Sequence, residues 1–102
     1  MVTFVPSSRI ERIRDNIRLR QYDMSAHAME ELAEDDLDVE DVERAILTGT
    51  IVRIEREDPR GTKYVIHGLA VDGITLVGAV GRFTSTGRFL IITTYEVTEP
   101  EE

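Results

Sequence analysis

The stretch Lys63–Phe83, KYVIHGLAVDGITLVGAVGRF, decides the fold. In it, Lys63–Val71 and Ile74–Phe83 flank Asp72-Gly73, a dipeptide that favours a two-residue hairpin turn. With that turn, Val71 pairs with Ile74, Leu69 with Leu76, His67 with Gly78, Val65 with Val80, and Lys63 with Arg82. Strand parity puts these residues on one side of the sheet. Tyr64, Ile66, Gly68, Ala70, Val77, Ala79, Gly81 and Phe83 fall on the other side. The small residues in the middle of that second side admit close-lying helices, so it is expected to face the core.

Working outward, Thr84–Gly87 reads as a turn into a last strand, Arg88–Val97, rich in Ile, Thr, Phe and Tyr. A four-residue loop there pairs Arg82 with Phe89. It adds Ile91, Thr93 and Tyr95 to the first side, and Leu90 and Ile92 to the core side. A one-residue bulge would move Tyr95 across. Upstream, Ile51–Glu55 reads as a strand and Asp58-Pro59-Arg60-Gly61 as a turn.

Before Gly49 the period changes to that of helices. Ser7 or Ser8 can cap a helix whose apolar face is Ile10, Ile13 and Ile17. Ser25 caps a second, leading into His27, Ala28, Met29, Leu32 and Ala33. Asp38 caps a third, running through Val39, Val42, Ala45, Ile46 and Leu47 to Gly49. Asp41 stands where a capping box prefers the longer Glu or Gln. Residues 1–97 are therefore expected to form one α+β domain, with helices on one face of a four-stranded antiparallel meander. Residues 98–102 read as a disordered acidic tail.

Composition narrows the function classes. In 102 residues there are 12 Lys and Arg against 20 Asp and Glu, for a net charge of −8. Cys is absent, which removes disulfides, thiolate nucleophiles and cysteine-based zinc sites. No apolar run approaches a membrane span and no signal peptide is read, so the expected compartment is the cytoplasm, with no membrane partner. The charge is unevenly distributed. Residues 9–20 hold five Arg and two acids, whereas residues 23–43 hold ten acids and no Lys or Arg. Bulk coating of nucleic acid is excluded, but a local phosphate site is not. The acidic stretch reads either as a solvated face or as a surface for a basic partner.

Lys63 opposite Arg82 is unfavourable unless something negative lies between them. Glu55 or Glu57 of the preceding segment would supply it, or a bound phosphate would. His27, just after a Ser cap, is a candidate general acid or base; its alternative is pairing with Glu30 or Glu31. His67 has a strand position on the same side as Lys63 and Arg82. Tyr95 would place a hydroxyl beside a phosphate, or simply cover the sheet. Arg60, in a turn, is either a substrate contact or solvated. The helical spacing of His27, Glu31 and Asp35 lacks a second His, so no metal is expected, and no cofactor motif occurs.

Ser25-Ala26-His27-Ala28-Met29-Glu30-Glu31, Leu37-Asp38-Val39-Glu40-Asp41-Val42-Glu43 and Ala45-Ile46-Leu47-Thr48-Gly49 together resemble the pattern of domain of unknown function 4258. Arg60-Gly61-x-Lys63-Tyr64 and Ile91-Ile92-Thr93-Thr94-Tyr95 fit the same pattern. The resemblance implies a RelE-like fold related to small ribonucleases. It also implies a toxin of a toxin–antitoxin pair, cleaving RNA without metal on the open sheet face. His27, Arg82 and Tyr95 would then be catalytic, and Lys63, His67 and Arg60 would bind substrate. The implied partners are RNA and a zinc-finger antitoxin of the MqsA type. Many members carry basic residues after the His, where this chain has Glu31, Glu34, Asp35 and Asp36. That difference leaves a second reading: a non-catalytic module of the same fold that docks a basic protein through its acidic helices.

Overall fold

The structure, a computed structural model, describes residues 8–98. Helix α1 (Arg9–Arg18) is capped by Ser8, whose Oγ accepts the Glu11 N–H at 3.2 Å. Ser7 and the expected tail beyond Thr98 lie outside the described residues. A short strand β1 (Tyr22–Met24) leads to α2 (Ala26–Glu34), where Ser25 Oγ accepts from the Ala28 N–H at 3.1 Å. Helix α3 (Val39–Thr48) follows, and the Asp41 carboxylate accepts the Asp38 N–H at 2.9 Å. Its other oxygen accepts the Val71 N–H at 3.0 Å.

Strands β2 (Thr50–Glu55), β3 (Lys63–Leu69), β4 (Leu76–Phe83) and β5 (Phe89–Glu96) complete the chain. The α+β class expected above holds, with one strand more. The sheet has five strands in the order β1-β5-β4-β3-β2, and β1 joins β5 in parallel with Tyr22 opposite Phe89. Three residues are too few to show a period, so β1 leaves no mark in the sequence.

The β3–β4 register is the expected one, from Leu69 opposite Leu76 to Tyr64 opposite Gly81. The turn differs. The Gly73 N–H reaches Ala70 O, and the Asp72 carboxylate accepts the N–H groups of Ile74 and Thr75 and the Thr75 hydroxyl. Asp72 thus organises a wider loop closed by Ala70 and Thr75, instead of a two-residue turn.

The last hairpin corrects the predicted register. Phe83, not Arg82, pairs with Phe89, because Thr84 and Arg88 close a three-residue loop whose Gly87 has φ +84°. Phe89 and Ile91 therefore enter the core, and Ile91, expected on the open side, is fully buried. Leu90, expected in the core, pairs with Arg82 on the open side. A bulge between Val80 and Gly81 in the pairing then reverses the parity, so Tyr95 returns to the open side opposite Gly78.

The helices cover the other face. Ile13, Ile17, Ala28, Leu32, Val42, Ala45 and Ile46 pack on Ile66, Ala70, Val77, Ala79, Phe89 and Ile91. Two glycines set the closest approach. A Cβ on Gly68 would stand 2.1 Å from Ala45 O, and one on Gly49 would stand 2.2 Å from His67 O. Helix α3 can lie on β3 only because neither position carries a side chain. Arg14 closes the end of α3, donating from Nε to Ile46 O at 3.3 Å and from a terminal nitrogen to Gly49 O at 2.7 Å.

Candidate functional site

His67 of β3, Gly78 of β4 and Tyr95 of β5 stand in one row across the open face. Gly78 gives the Tyr95 ring room to lie over β4, since a Cβ there would come within 2.3 Å of the ring. The phenol crosses to β3, where Tyr95 Oη and His67 Nε2 are 3.0 Å apart. The rings meet edge to face, with centroids 5.8 Å apart and planes at 84°. Either group can hold the shared proton, depending on the histidine tautomer.

Burial pushes the Tyr95 hydroxyl above the usual phenol range; Arg53 pulls it down and Glu55 pushes it further up. Both of those residues belong to β2. A bulge between Ile51 and Arg53 puts Arg53 opposite Val65 and Glu55 opposite Lys63, on the open face. Arg53 Nε lies 2.9 Å from Glu55 and its side chain stays two-thirds exposed. The site therefore combines a proton-sharing couple with a solvent-facing Arg53 that is ion-paired to Glu55. This chemistry can move a proton to or from a bound group and hold a negative charge beside it.

The other expected residues are dispersed. Lys63 lies 3.5 Å from Glu55 and 3.4 Å from Asp58, so the acidic neighbour expected to neutralise it is Glu55, joined by Asp58 rather than Glu57. Arg60 folds back on Asp58 through its side chain and its own N–H. Those two donors hold the Asp58 carboxyl well below the usual carboxylate range. An open groove of ≈ 580 Å³ lies here, lined by Ile54, Glu55, Arg56, Glu57, Asp58 and Lys63, and it does not include His67 or Tyr95. Arg82 is on the open face opposite Leu90 and makes no hydrogen bond or ion pair among the described residues. It is four residues along β4 from Gly78, about 13 Å at strand spacing.

His27 is not brought to this face. It is exposed at the start of α2, on the helical layer, with Nε2 3.3 Å from Glu31 Oε1. The same Glu31 oxygen accepts the Thr94 N–H at 3.2 Å, and the Asp35 carboxylate accepts the Glu96 N–H at 3.0 Å. These carboxylates take backbone donors of β5 beyond the end of β1, where the strand has no neighbour on that side. Asp23 pairs with Arg88 at 2.7 Å, and Glu43 accepts the Tyr22 hydroxyl and Arg20. Much of the acidic stretch thus completes the fold.

Arg53 is the site residue that sequence reading misses. Its signal is nonetheless present: Ile51 and Ile54 are three apart, so both can face the core only if the strand bulges between them. The profile of a family described as domain of unknown function (DUF4258) matches residues 24–96. No curated protein and no solved structure matches the chain. No helix among the described residues is long and apolar enough to cross a membrane.

Proposed function

This chain belongs to the DUF4258 family, and on that premise we propose that it is a metal-independent endoribonuclease acting on its open sheet face. The observation that carries the reading is the 3.0 Å contact between His67 Nε2 and Tyr95 Oη on an uncovered face. Exposed Arg53 beside it and Arg82 further along supply positive charge for a phosphate backbone.

In this reading the ribose 2′-OH gives its proton to the Tyr95–His67 couple as its oxygen bonds to the adjacent phosphorus. The P–O5′ bond breaks, and the couple returns a proton to the leaving 5′ oxygen. The products are a 2′,3′-cyclic phosphate and a 5′-OH end. A phenol is protonated at neutral pH and burial raises Tyr95 further, so it relays a proton and is not a standing phenolate. Arg53 offsets the charge that develops on the phosphoryl oxygens. Acid–base work falls to His67 in place of His27, which sits beside Glu31. Action as a toxin, the zinc-finger antitoxin of the MqsA type as partner and the cytoplasm as compartment complete the proposal on the family resemblance.

The test is cleavage of defined RNA by the purified protein in the presence of a chelator, with and without ribosomes. Cyclic-phosphate ends are expected, with the rate at least about a hundredfold lower in His67→Ala. RNA left intact under both conditions overturns the proposal.

A further inference from the structure

The tip of the β3–β4 hairpin is apolar where a turn is usually polar. Ile74 is 83 % exposed, Val71 52 % and Leu69 43 %, and Leu69 pairs directly with Leu76. None of these side chains is needed to close the loop, which is held by the Asp72 carboxylate accepting from the Ile74 and Thr75 N–H groups and the Thr75 hydroxyl, and by the Gly73 N–H donating to Ala70 O. The first turn of α3 adjoins the tip, because Asp41 accepts the Val71 N–H at 3.0 Å. Asp38 and Glu40 flank Asp41 at the start of that helix and are exposed.

Acidic residues predominate around the patch, with Arg44, four residues after Glu40, the one cation of α3. No Lys or Arg occurs from Tyr64 to Gly81 or from Asp23 to Glu43. Asp72 stays ionised, since the Thr75 hydroxyl and two N–H groups hold its carboxyl below the usual range. An apolar centre with an acidic rim repels nucleic acid, anionic lipid and a second copy of this acidic chain alike. It is complementary to a polypeptide segment that carries apolar anchors among Lys or Arg.

We propose that the hairpin tip, Leu69, Val71 and Ile74 within the rim of Asp38, Glu40 and Asp72, is a docking surface for a basic segment with apolar anchors. The surface is distinct from the open-face site and does not depend on its chemistry. Its inner edge, Leu69 and Leu76, is the row next to His67 and Gly78, so a docked segment would lie beside the His67–Tyr95 couple.

The probe is a synthetic amphipathic peptide of Leu and Lys, compared with a Leu/Glu peptide and a Ser/Lys peptide of the same length. Binding is read by fluorescence anisotropy and mapped by amide chemical shifts on the full chain. The Leu/Lys peptide is expected to bind with shifts confined to residues 38–41 and 69–76, and the other two are not. Ile74→Ser with Val71→Ser should weaken binding at least tenfold, and Glu40→Lys should weaken it severalfold. Circular dichroism of the variants should be unchanged, since both apolar side chains are mostly exposed. Equal binding by the Ser/Lys peptide, shifts centred on another face, or undiminished affinity in the double variant each overturns the proposal. So does concentration-dependent dimerisation that Ile74→Ser abolishes, which would make the tip a contact between copies.

Discussion

The Tyr95 ring occupies the space in which a side chain at Gly78 would stand. Replacing that glycine with alanine must therefore displace the phenol, with a Cβ only 2.3 Å from the ring carbon that bears the hydroxyl. Gly78→Ala is expected to destabilise the fold by about 1 kcal/mol, the low end for overpacking, because the ring tip can swing toward solvent. It should also remove the contact with His67. Denaturant unfolding measures the first, and loss of ring-to-ring nuclear Overhauser effects the second. An unchanged unfolding midpoint would contradict this packing.

Gly68→Ala tests the other face. The added methyl would meet Ala45 O at 2.1 Å, and backbone cannot swing aside as a side-chain tip can. A loss of about 3 kcal/mol or more is expected, at the upper end for overpacked cores. Ser85→Ala, in the exposed part of the last hairpin loop, serves as a control that should change stability by less than about 0.5 kcal/mol.

Asp36 has φ +58° at the end of α2, where the Leu37 N–H reaches Leu32 O and the Asp36 N–H reaches Ala33 O. This is a helix stop that favours glycine. Asp36→Gly is expected to stabilise the protein by about 1 kcal/mol, because a Cβ in the left-handed region costs about that much. A rise in the thermal midpoint checks it.

The two carboxylates on the β5 edge predict a local effect. Glu31→Ala removes the acceptor for the Thr94 N–H, and Asp35→Ala that for the Glu96 N–H. Each variant should speed hydrogen exchange at its own amide and leave the β3–β4 amides protected. Exchange that rises uniformly would show these contacts to be global instead.

Tyr22 gives a pH signature. Burial and the Glu43 carboxylate push its phenol from 10.0 up to about 12. The folded chain therefore favours the protonated phenol more than the unfolded chain does. That stabilisation is complete below pH 10.0 and is lost as pH rises toward about 12. A phenolate absorbance step near the top of this window should disappear in Tyr22→Phe.

The parts of the fold legible in the sequence are those with a strong local signal. Ser25 and Asp38 mark helix starts because short side chains capture orphan N–H groups. The register from Leu69–Leu76 to Tyr64–Gly81 follows from alternation around one turn. That register survives even though the turn itself is built differently, because both loops are symmetric about the same axis. The last strand is less legible because two one-residue irregularities cancel: Gly87 shifts the loop, and the bulge shifts it back for Tyr95 but not for Ile91. The site is legible in part. Alternation places His67 on the open face, and Tyr95 joins it because the shifted loop and the bulge offset each other, while Arg53 depends on a bulge whose trace is the Ile51–Ile54 spacing. His27 looks catalytic by its position after a cap, and only packing assigns it to the helical layer.

Strand β5 comes last among the described elements, yet it is an interior strand, flanked by β1 and β4. It supplies Phe89 and Ile91 to the core, the surface under α2, and Tyr95 to the open face. Vectorial synthesis on a ribosome therefore yields a long interval in which α1, β1 and α2 exist without the strand that joins them. A nascent chain stalled before Phe89 should be protease-sensitive throughout, and protection should arise in one step once Glu96 has left the exit tunnel. The hydrogen-bonded couple is complete only once this last described strand has been added to the sheet.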